Sequence, residues 1–343
     1  MKIEVYSPTI RRKEMDAVLT AMVEDKIGPG EQARFLIQVA REQLQFDFCL
    51  ALRSPAMALG MALQALRPED GDGVVLSALS PRYYGRVLEE LRLRPIYCDV
   101  LPGSAMMGPP VIEAALSRKS EGLSPRAILV NHTLGFVPDM PAIAGMGLPV
   151  IEDCSRSYGT FIGEERAGSF GVFTILGLEE RDILTSGGGA LLYAQNRRDA
   201  AVLRGLSVLP EYSLPDLNAA MAVVQFREGK RNLEKRMEIA RAYVQAALRT
   251  RHKRFVQQDN AEYNNYCFPL ILESGMKDVK TYGKRKDIAV EAAFEDSLVG
   301  GPGVSELCPE AYSLSLRTVL FPLYPRLGSA ESEKVAKLIL TLP

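Results

Sequence analysis

The residues of this chain that could take part in chemistry lie in two segments of its middle third, and neither segment contains a lysine. In the first, Asp153 ends an apolar run and Arg156 follows closely. In the second, Arg181 stands among acidic residues shortly before a run of glycines. An arginine stays protonated and a carboxylate carries no amine, so neither can form an imine with an aldehyde. Lysine is absent between Lys119 and Lys230, which excludes this amine chemistry from the interval.

Histidine and cysteine offer little more. His132 and His252 are the two histidines of the chain, and they lie far apart in sequence. His132 directly follows an apolar run, but a lone histidine is more often a structural donor than a catalyst. The five cysteines are scattered singly, which is typical of reduced and mostly buried thiols. The sequence therefore predicts no metal site.

Composition narrows the class of protein. With 343 residues, 47% of them hydrophobic, the chain can bury a large core and is expected to form one large and one small domain. Its formal net charge of -1, without a long run of one sign, argues against binding to nucleic acid or to a membrane surface. The first residues form no apolar signal region, and no apolar stretch is long enough to span a bilayer. We therefore expect a cytoplasmic protein.

Hydrophobic periodicity divides the first two thirds of the chain into alternating helices and short strands. Continuously apolar runs predict strands at 48–52, 74–79, 95–98, 127–131 and 149–151. Helical patterns precede or separate these runs at 11–26, 31–44, 55–66, 82–93, 110–118 and 139–146. Short, wholly apolar strands between helices indicate a parallel sheet covered on both faces. Ligands of such sheets bind at the carboxyl ends of the strands.

The last third of the chain has a different pattern. A long helical stretch at 214–248 leads out of the sheet region, followed by a predicted strand at 266–272 and a final helix at 330–342. We therefore place a large domain, including the N-terminal helices, at 1–213. The linking helix and a small C-terminal domain occupy 214–343.

Six motifs carry a resemblance to one protein family. They are the turn at 27–30, the segment 54–59, His132 with Gly135, the pair Glu152 and Asp153, the turn at 168–171, and the helix at 214–225. Together they resemble the DegT/StrS family of nucleotide-sugar aminotransferases, which use pyridoxal phosphate (PLP). The resemblance spans nearly the whole chain. It implies an α/β, type I PLP-transferase (aspartate-aminotransferase-like) fold, with a mostly parallel sheet in the large domain and a smaller α+β C-terminal domain.

The resemblance also indicates what the chain lacks. The family's Schiff-base lysine precedes its closing Gly-Gly at a fixed spacing, and Arg181 fills that position here. A shift of one residue gives Glu180 or Asp182, and never a lysine. A subfamily of dehydratases has histidine at this place, but neither histidine of the chain is near it. We therefore predict no catalytic residue of the family's kind, and interpret the segment around Arg181 as a solvated turn.

The family's phosphate-binding residues are altered as well. In the family, Gly-Thr follows the serine and supplies donors at a helix N-terminus, whereas Pro55 and Ala56 follow Ser54 here. Pro55 suits the first turn of a helix, which is its expected structural role. Leu176 replaces a serine, and Glu211 replaces an asparagine that the family donates from the partner subunit. A carboxylate at that place repels a phosphate.

Asp153 is kept, and in the family this aspartate pairs with the pyridine nitrogen of PLP. A strand-end carboxylate that caps the following turn is an equally weighted interpretation. Arg156 stands where the family has glutamine. It could hold an anionic ligand or pair with Glu152 or Asp153, and we expect the pairing. The candidate residues for binding a cofactor are Ser54, Ala56, His132, Asp153 and Arg156.

We accordingly expect a pseudoenzyme of the family, without lysine-dependent transaminase activity. Two roles stay open: binding of a small sugar-like or anionic ligand in the inherited cleft, or a structural role in nucleotide-sugar or polysaccharide biosynthesis. The alternative is a sugar aminotransferase or dehydratase that holds PLP, or its amine form PMP, without a covalent link. No covalently bound cofactor is expected, and PLP would bind weakly. The resemblance implies a homodimer, or pairing with an intact paralogue.

Overall fold

The computed structural model of the chain describes residues 2–118 and 122–343. Met1 and Lys119, the lysine that opens the lysine-free interval, lie outside the described residues. The helices of the described part are α1 (Arg12–Val23), α2 (Glu31–Leu44), α3 (Pro55–Ala65), α4 (Arg82–Glu90), α5 (Pro109–Ser117), α6 (Met140–Ala144), α7 (Arg197–Arg204), α8 (Asp216–Ala247), α9 (Met276–Arg285), α10 (Val304–Leu307), α11 (Pro309–Arg317) and α12 (Ser329–Leu340).

The strands form one large sheet and two small ones. They are β1 (Phe48–Leu52), β2 (Gly73–Ser77), β3 (Arg94–Cys98), β4 (Pro125–Asn131), β5 (Val150–Asp153), β6 (Phe161–Ile162), β7 (Glu165–Arg166), β8 (Phe173–Gly177), β9 (Ala190–Ala194), β10 (Ala261–Glu262), β11 (Phe268–Ile271), β12 (Glu291–Ala292) and β13 (Thr318–Phe321). The central sheet has the order β1-β9-β8-β5-β4-β2-β3. The small sheets have the orders β10-β6-β7 and β11-β13-β12.

Five neighbouring strands of the central sheet, β3, β2, β4, β5 and β8, run parallel to one another. Helices cover both faces of this sheet. Residues of β2 alternate between two apolar cores: Val74 and Leu76 pack with α3 and α4, while Val75 packs with α5 and α6. Because both faces are buried, the strand is apolar at every position that carries a large side chain. The predicted α/β class with a mostly parallel sheet is confirmed.

The strand prediction omits β8 and β9, which complete the sheet. β9 lies between β1 and β8 and is antiparallel to both. A turn of three glycines precedes β9, and Gly187, Gly188 and Gly189 all have positive φ. A side chain at Gly189 would also collide with Leu214. The glycines are therefore explained by the backbone conformation of the turn. β8 runs parallel to β5, and β9 runs antiparallel to β8. Residues 178–186, which follow β8, therefore lie at the carboxyl edge of the parallel strands.

Helix α8 connects the two main parts of the molecule. Its first half contributes Ala222 and Phe226 to a core with α2 and the β8–β9 pair. Its second half contributes Ile239 and Tyr243 to a separate core with the sheet of β11 and β13. Ile3 joins that second core. The division into domains at 213 and 214 stays a prediction.

A substitution in α8 tests whether its first half belongs to the sheet core. Phe226 is 1% exposed and its ring meets the Tyr158 ring edge-on at 5.6 Å. We expect Phe226→Ala to lower the free energy of unfolding by about 3–5 kcal/mol, because it leaves a cavity. Met237→Ala in the same helix, 42% exposed, should change it by less than about 1 kcal/mol. Urea unfolding measures both, and equal losses would contradict this packing.

Candidate functional site

A cleft opens at the carboxyl ends of β4 and β5, beside the N-terminus of α3. Its inner cavity measures about 130 Å³ and its outer cavity about 390 Å³. Small-molecule pockets usually measure roughly 300–1,000 Å³, so only the outer cavity reaches that size. The residues that line both cavities are Pro81, Arg156, Arg181 and Asp296. Within the described chain, no lining residue of either cavity is a lysine.

Asp153, at the end of β5, lines the inner cavity with both carboxylate oxygens engaged by the protein. Oδ1 accepts hydrogen bonds from the backbone N–H of Ser155, at 2.9 Å, and from the Ser155 hydroxyl. Oδ2 accepts from the hydroxyls of Tyr84, at 2.5 Å, and Tyr83, at 3.3 Å. The Ser155 hydroxyl in turn accepts the backbone N–H of Gly177 at 2.7 Å. Asp153 therefore both caps the turn, as one interpretation predicted, and binds two side chains from α4.

The two tyrosines come from the first turn of α4. Their rings meet edge-on at 4.8 Å, and Tyr84 is fully buried. Burial, followed by the nearby charge of Asp153, raises the pKa of Tyr84 well above its ordinary value. The hydroxyl therefore stays protonated and donates to the carboxylate. Sequence reasoning missed both residues, although a pair of aromatic residues just after the end of a buried strand was the available signal.

Asp182 and not Arg181 occupies the inward position after β8. Its Oδ2 accepts the backbone N–H of Glu179 at 2.8 Å. A Cβ atom added to Gly177 would lie 2.3 Å from that oxygen, so the glycine leaves the space that the carboxyl group fills. Burial raises the pKa of Asp182 from 3.8 to about 7, while Arg156 opposes the shift. The inner cavity thus has a partly protonated carboxyl group at the turn after β8.

Arg181 lies at the mouth of the cleft, with more than half of its side chain exposed. Its guanidinium forms a salt bridge with Glu291 of β12 at 2.8 Å and lies over the ring of Tyr6. The Tyr266 hydroxyl donates to the Arg181 carbonyl at 2.7 Å. The side chain therefore bridges the two sides of the cleft, where the sequence predicted a solvated turn.

His132 belongs to a buried structural cluster. Its Nδ1 lies 2.5 Å from the Ser157 hydroxyl, and its Nε2 lies 3.3 Å from Glu152 Oε1 without the alignment of a hydrogen bond. Burial lowers the pKa of His132 to about 3, so the ring is neutral. The Glu152 carboxyl group accepts the backbone N–H groups of the turn at 168–171, and burial raises its pKa to about 7. These residues hold the turn behind β5 in place.

Arg156 lies between the two cavities without a polar partner. The expected pairing with Glu152 or Asp153 is absent: across the described chain, its guanidinium makes neither a salt bridge nor a hydrogen bond. It lies over the ring of Tyr266, 5.5 Å from the centroid. Neither carboxylate is available to pair with Arg156. Both oxygens of Asp153 already accept hydrogen bonds from Tyr84 and Ser155. Glu152 points into the turn behind the strand.

The predicted phosphate-binding positions do not form a cradle in this chain. The Ser54 hydroxyl accepts the backbone N–H of Met57 at 3.2 Å and so caps α3, with Pro55 in the first turn as predicted. Ala56 packs against the apolar core. Leu176 is fully buried in the core on the α2 and α8 side of the sheet. Glu211 lies exposed and outside both cavities of its own chain.

Comparison with known proteins agrees with this architecture. Residues 8–340 match the DegT/DnrJ/EryC1/StrS aminotransferase family. The chain belongs to this family. It is 24% identical to the dTDP-4-dehydro-2,3,6-trideoxy-D-glucose 4-aminotransferase of Saccharopolyspora spinosa, with 97% of this chain and 95% of the relative covered. The predicted family membership is confirmed.

Solved structures of the family share the fold. The aminotransferase TlmJ from Streptoalloteichus hindustanus superimposes with a TM-score of 0.88 at 19% identity, covering 99% of this chain and 98% of that one. The E. coli GDP-4-keto-6-deoxy-D-mannose-3-dehydratase, solved with bound hydrated PLP, gives a TM-score of 0.85 at 16% identity and covers 99% of each chain. At this identity the likeness extends to the fold alone.

The residues of the cleft do not fit PLP. Asp153 has no lone pair left for a pyridinium N–H, because Ser155 donates twice to Oδ1 while Tyr83 and Tyr84 both donate to Oδ2. The N-terminus of α3 offers a proline and a hydroxyl already used as a cap. The inward residue after β8 is a carboxylic acid. Each of these features disfavours the ring, the phosphate or the aldehyde of the cofactor.

Across residues 2–118 and 122–343, no three His, Cys, Asp or Glu side chains are grouped so as to hold a metal ion. In the same residues, no helix has the length and apolar character needed to cross a membrane.

The raised pKa of Asp182 predicts a pH-dependent effect of its removal. The native state keeps a proton that the unfolded chain has lost between about pH 4 and 7, so stability falls as the pH rises through about 7. Asp182→Asn replaces the charged form by a neutral amide. We expect it to stabilise the protein by on the order of 1 kcal/mol at about pH 8.5 and not at about pH 5.

Denaturation of wild type and variant at both pH values measures this difference. Asp296→Asn serves as the control, because the Asp296 side chain is 84% exposed and should give no pH-dependent change. A destabilised Asp182→Asn at the higher pH would mean that the native site requires the carboxylate.

Proposed function

We propose that this chain is a family member without lysine-dependent transaminase activity, and that its cleft binds a small sugar-like ligand. The observation that carries the proposal is the position of Asp182, whose carboxyl group fills the inward place after β8. A carboxylic acid cannot form an imine. The hydrogen-bonded set of Asp153, Tyr84 and Ser155 supports the same conclusion, since it closes the site where a cofactor ring would bind.

The chemistry of the cleft favours a hydroxylated ligand over a phosphate. The carboxyl groups that line the inner cavity are those of Asp153, Glu179, Asp182 and Asp296. Carboxylates accept hydrogen bonds from hydroxyl groups but repel a dianion. Asp182 has one oxygen without a protein donor in the described part of the chain, and the outer cavity of about 390 Å³ leaves room for a sugar ring.

A second candidate keeps PLP or PMP without a covalent link, as a dehydratase or an aminotransferase. The dehydratase structure with bound hydrated PLP supports this candidate, because a hydrated aldehyde is not linked to a lysine as an imine. Two features of this chain argue against PLP binding. The Asp153 carboxylate already accepts hydrogen bonds from protein donors, and the Ser54 hydroxyl already caps the N-terminus of α3. The place of the protein in a nucleotide-sugar or polysaccharide pathway, and in the cytoplasm, is part of our proposal and rests on the family alone.

We expect no lysine-linked pyridoxyl group in the protein. Added PLP should give no visible imine absorbance, and borohydride reduction followed by peptide mapping should find no modified lysine at the cleft. Arg181→Lys should not change this, because residue 181 faces the mouth of the cleft and pairs with Glu291. An imine in the wild-type protein would contradict the proposed function. Tight PLP binding by Arg181→Lys would show that a phosphate cradle exists.

We also expect a homodimer. Helix α1 and the turn after it present an apolar surface of Met15, Leu19, Met22, Val23 and Ile27, all more than half exposed in the single chain. Such a patch usually marks a protein interface. Sedimentation at micromolar concentration should give a dimer, and Leu19→Asp should weaken it. A wild-type monomer would contradict the homodimer, and a co-purifying second chain would indicate pairing with a paralogue instead.

A further inference from the structure

Arg156 has a free guanidinium in the middle of the cleft. Charged side chains that leave bulk water normally acquire partners. Arg236, which is buried, follows this rule by donating to the carbonyl oxygens of Tyr266 and Leu323 at 2.7 and 3.0 Å, whereas Arg156 is half-buried. Arg156 has no such acceptor in the described chain, although it lines both cavities. Its donors are therefore available to a molecule that enters the cleft.

The structure also holds Arg156 in place. Its backbone carbonyl accepts the Asn264 side-chain N–H at 2.8 Å, and Gly135 packs closely against the same carbonyl. One face of the guanidinium is covered by the Tyr266 ring, and the Tyr266 hydroxyl is fixed on the Arg181 carbonyl. A guanidinium with a covered face offers its edge, where pairs of N–H groups point in parallel.

We propose that Arg156 binds a carboxylate group of the ligand, and that the cleft selects small polyhydroxylated monocarboxylic acids. The inference rests on the proposed function, because it concerns the same sugar-like ligand. A carboxylate is planar and accepts two parallel hydrogen bonds from one guanidinium edge. The open oxygen of Asp182 and the carboxylates of Glu179 and Asp296 then accept the hydroxyl groups of the same molecule.

A phosphate group fits this arrangement less well. Phosphate sites usually combine backbone N–H groups of a helix N-terminus with several cations. Here the α3 N-terminus is capped by Ser54, and the other cation of the cleft, Arg181, already pairs with Glu291. One free guanidinium among four carboxyl groups matches a monoanion better than a dianion.

Binding of D-glucuronate, D-glucose and inorganic phosphate, measured by titration calorimetry, tests the proposal. Wild type should bind glucuronate at least about tenfold more tightly than glucose, because the charge-assisted pair is present in one complex only. Arg156→Gln, which has the residue that the resemblance gives for the family, should reduce that difference to less than about twofold. Arg156→Lys should retain part of it, since the charge stays but the planar pair of donors is lost.

Arg86→Gln is the matched control, because Arg86 is exposed on α4 and pairs with Glu89 and Glu90. It should bind all three compounds as wild type does. Circular dichroism should show that Arg156→Gln is folded at the temperature of the titration, so that its glucuronate binding reports the loss of the guanidinium.

The other outcomes separate this proposal from the one it rests on. Equal binding of glucuronate and glucose by wild type, undiminished glucuronate binding by Arg156→Gln, or tighter binding of phosphate would each overturn the role of Arg156. In the first two cases sugar binding by the cleft would still stand. Binding of neither sugar would contradict both proposals, and a PLP imine would contradict the proposed function alone.

Discussion

The carboxylate of Asp153 is held by hydrogen bonds from Ser155 and from the two tyrosines of α4, and the rest of the cleft is arranged around this closed set. The carboxylate sits at the end of a buried strand, so it needs donors wherever they come from. Because the donors come from the protein, the position is satisfied without a ligand. The lone pairs of Asp153 are thus used within the fold.

The same cleft shows how much depends on one position of the chain. The resemblance implies that Arg181 stands at the family's lysine position, yet the side chain that points inward is that of Asp182. Spacing cannot decide which of two neighbours faces a cavity, because the turn after β8 is irregular. Gly177 provides the physical reason, since its missing side chain makes room for the Asp182 carboxyl group. Both alternatives lack an amine, so the chemical conclusion does not depend on the register.

Much of the fold could be predicted from the sequence because it rests on apolar periodicity. The strand at 48–52 and the helix at 31–44 have the predicted bounds, and the long helix differs by two residues or fewer at each end. The antiparallel pair of β8 and β9 was harder, since its position follows from tertiary pairing. The hydrogen-bond partners of polar side chains were the least predictable feature. Arg156 was expected to pair with a neighbouring carboxylate, but it lies over the Tyr266 ring. Tyr84 is distant from Asp153 in sequence, so its hydrogen bond to this carboxylate, beside that of Ser155, could not be predicted from the sequence.

We propose that the protein's own side chains make the hydrogen bonds with Asp153 that a cofactor would otherwise make. A crystal structure of the protein grown with excess PLP tests it most directly. We expect Tyr84 to keep its hydrogen bond to Asp153 and Asp182 to keep its position after β8. No pyridine ring should lie against the Asp153 carboxylate. A pyridine nitrogen bonded to Asp153, with Tyr84 displaced and the phosphate held at the α3 N-terminus, would contradict it.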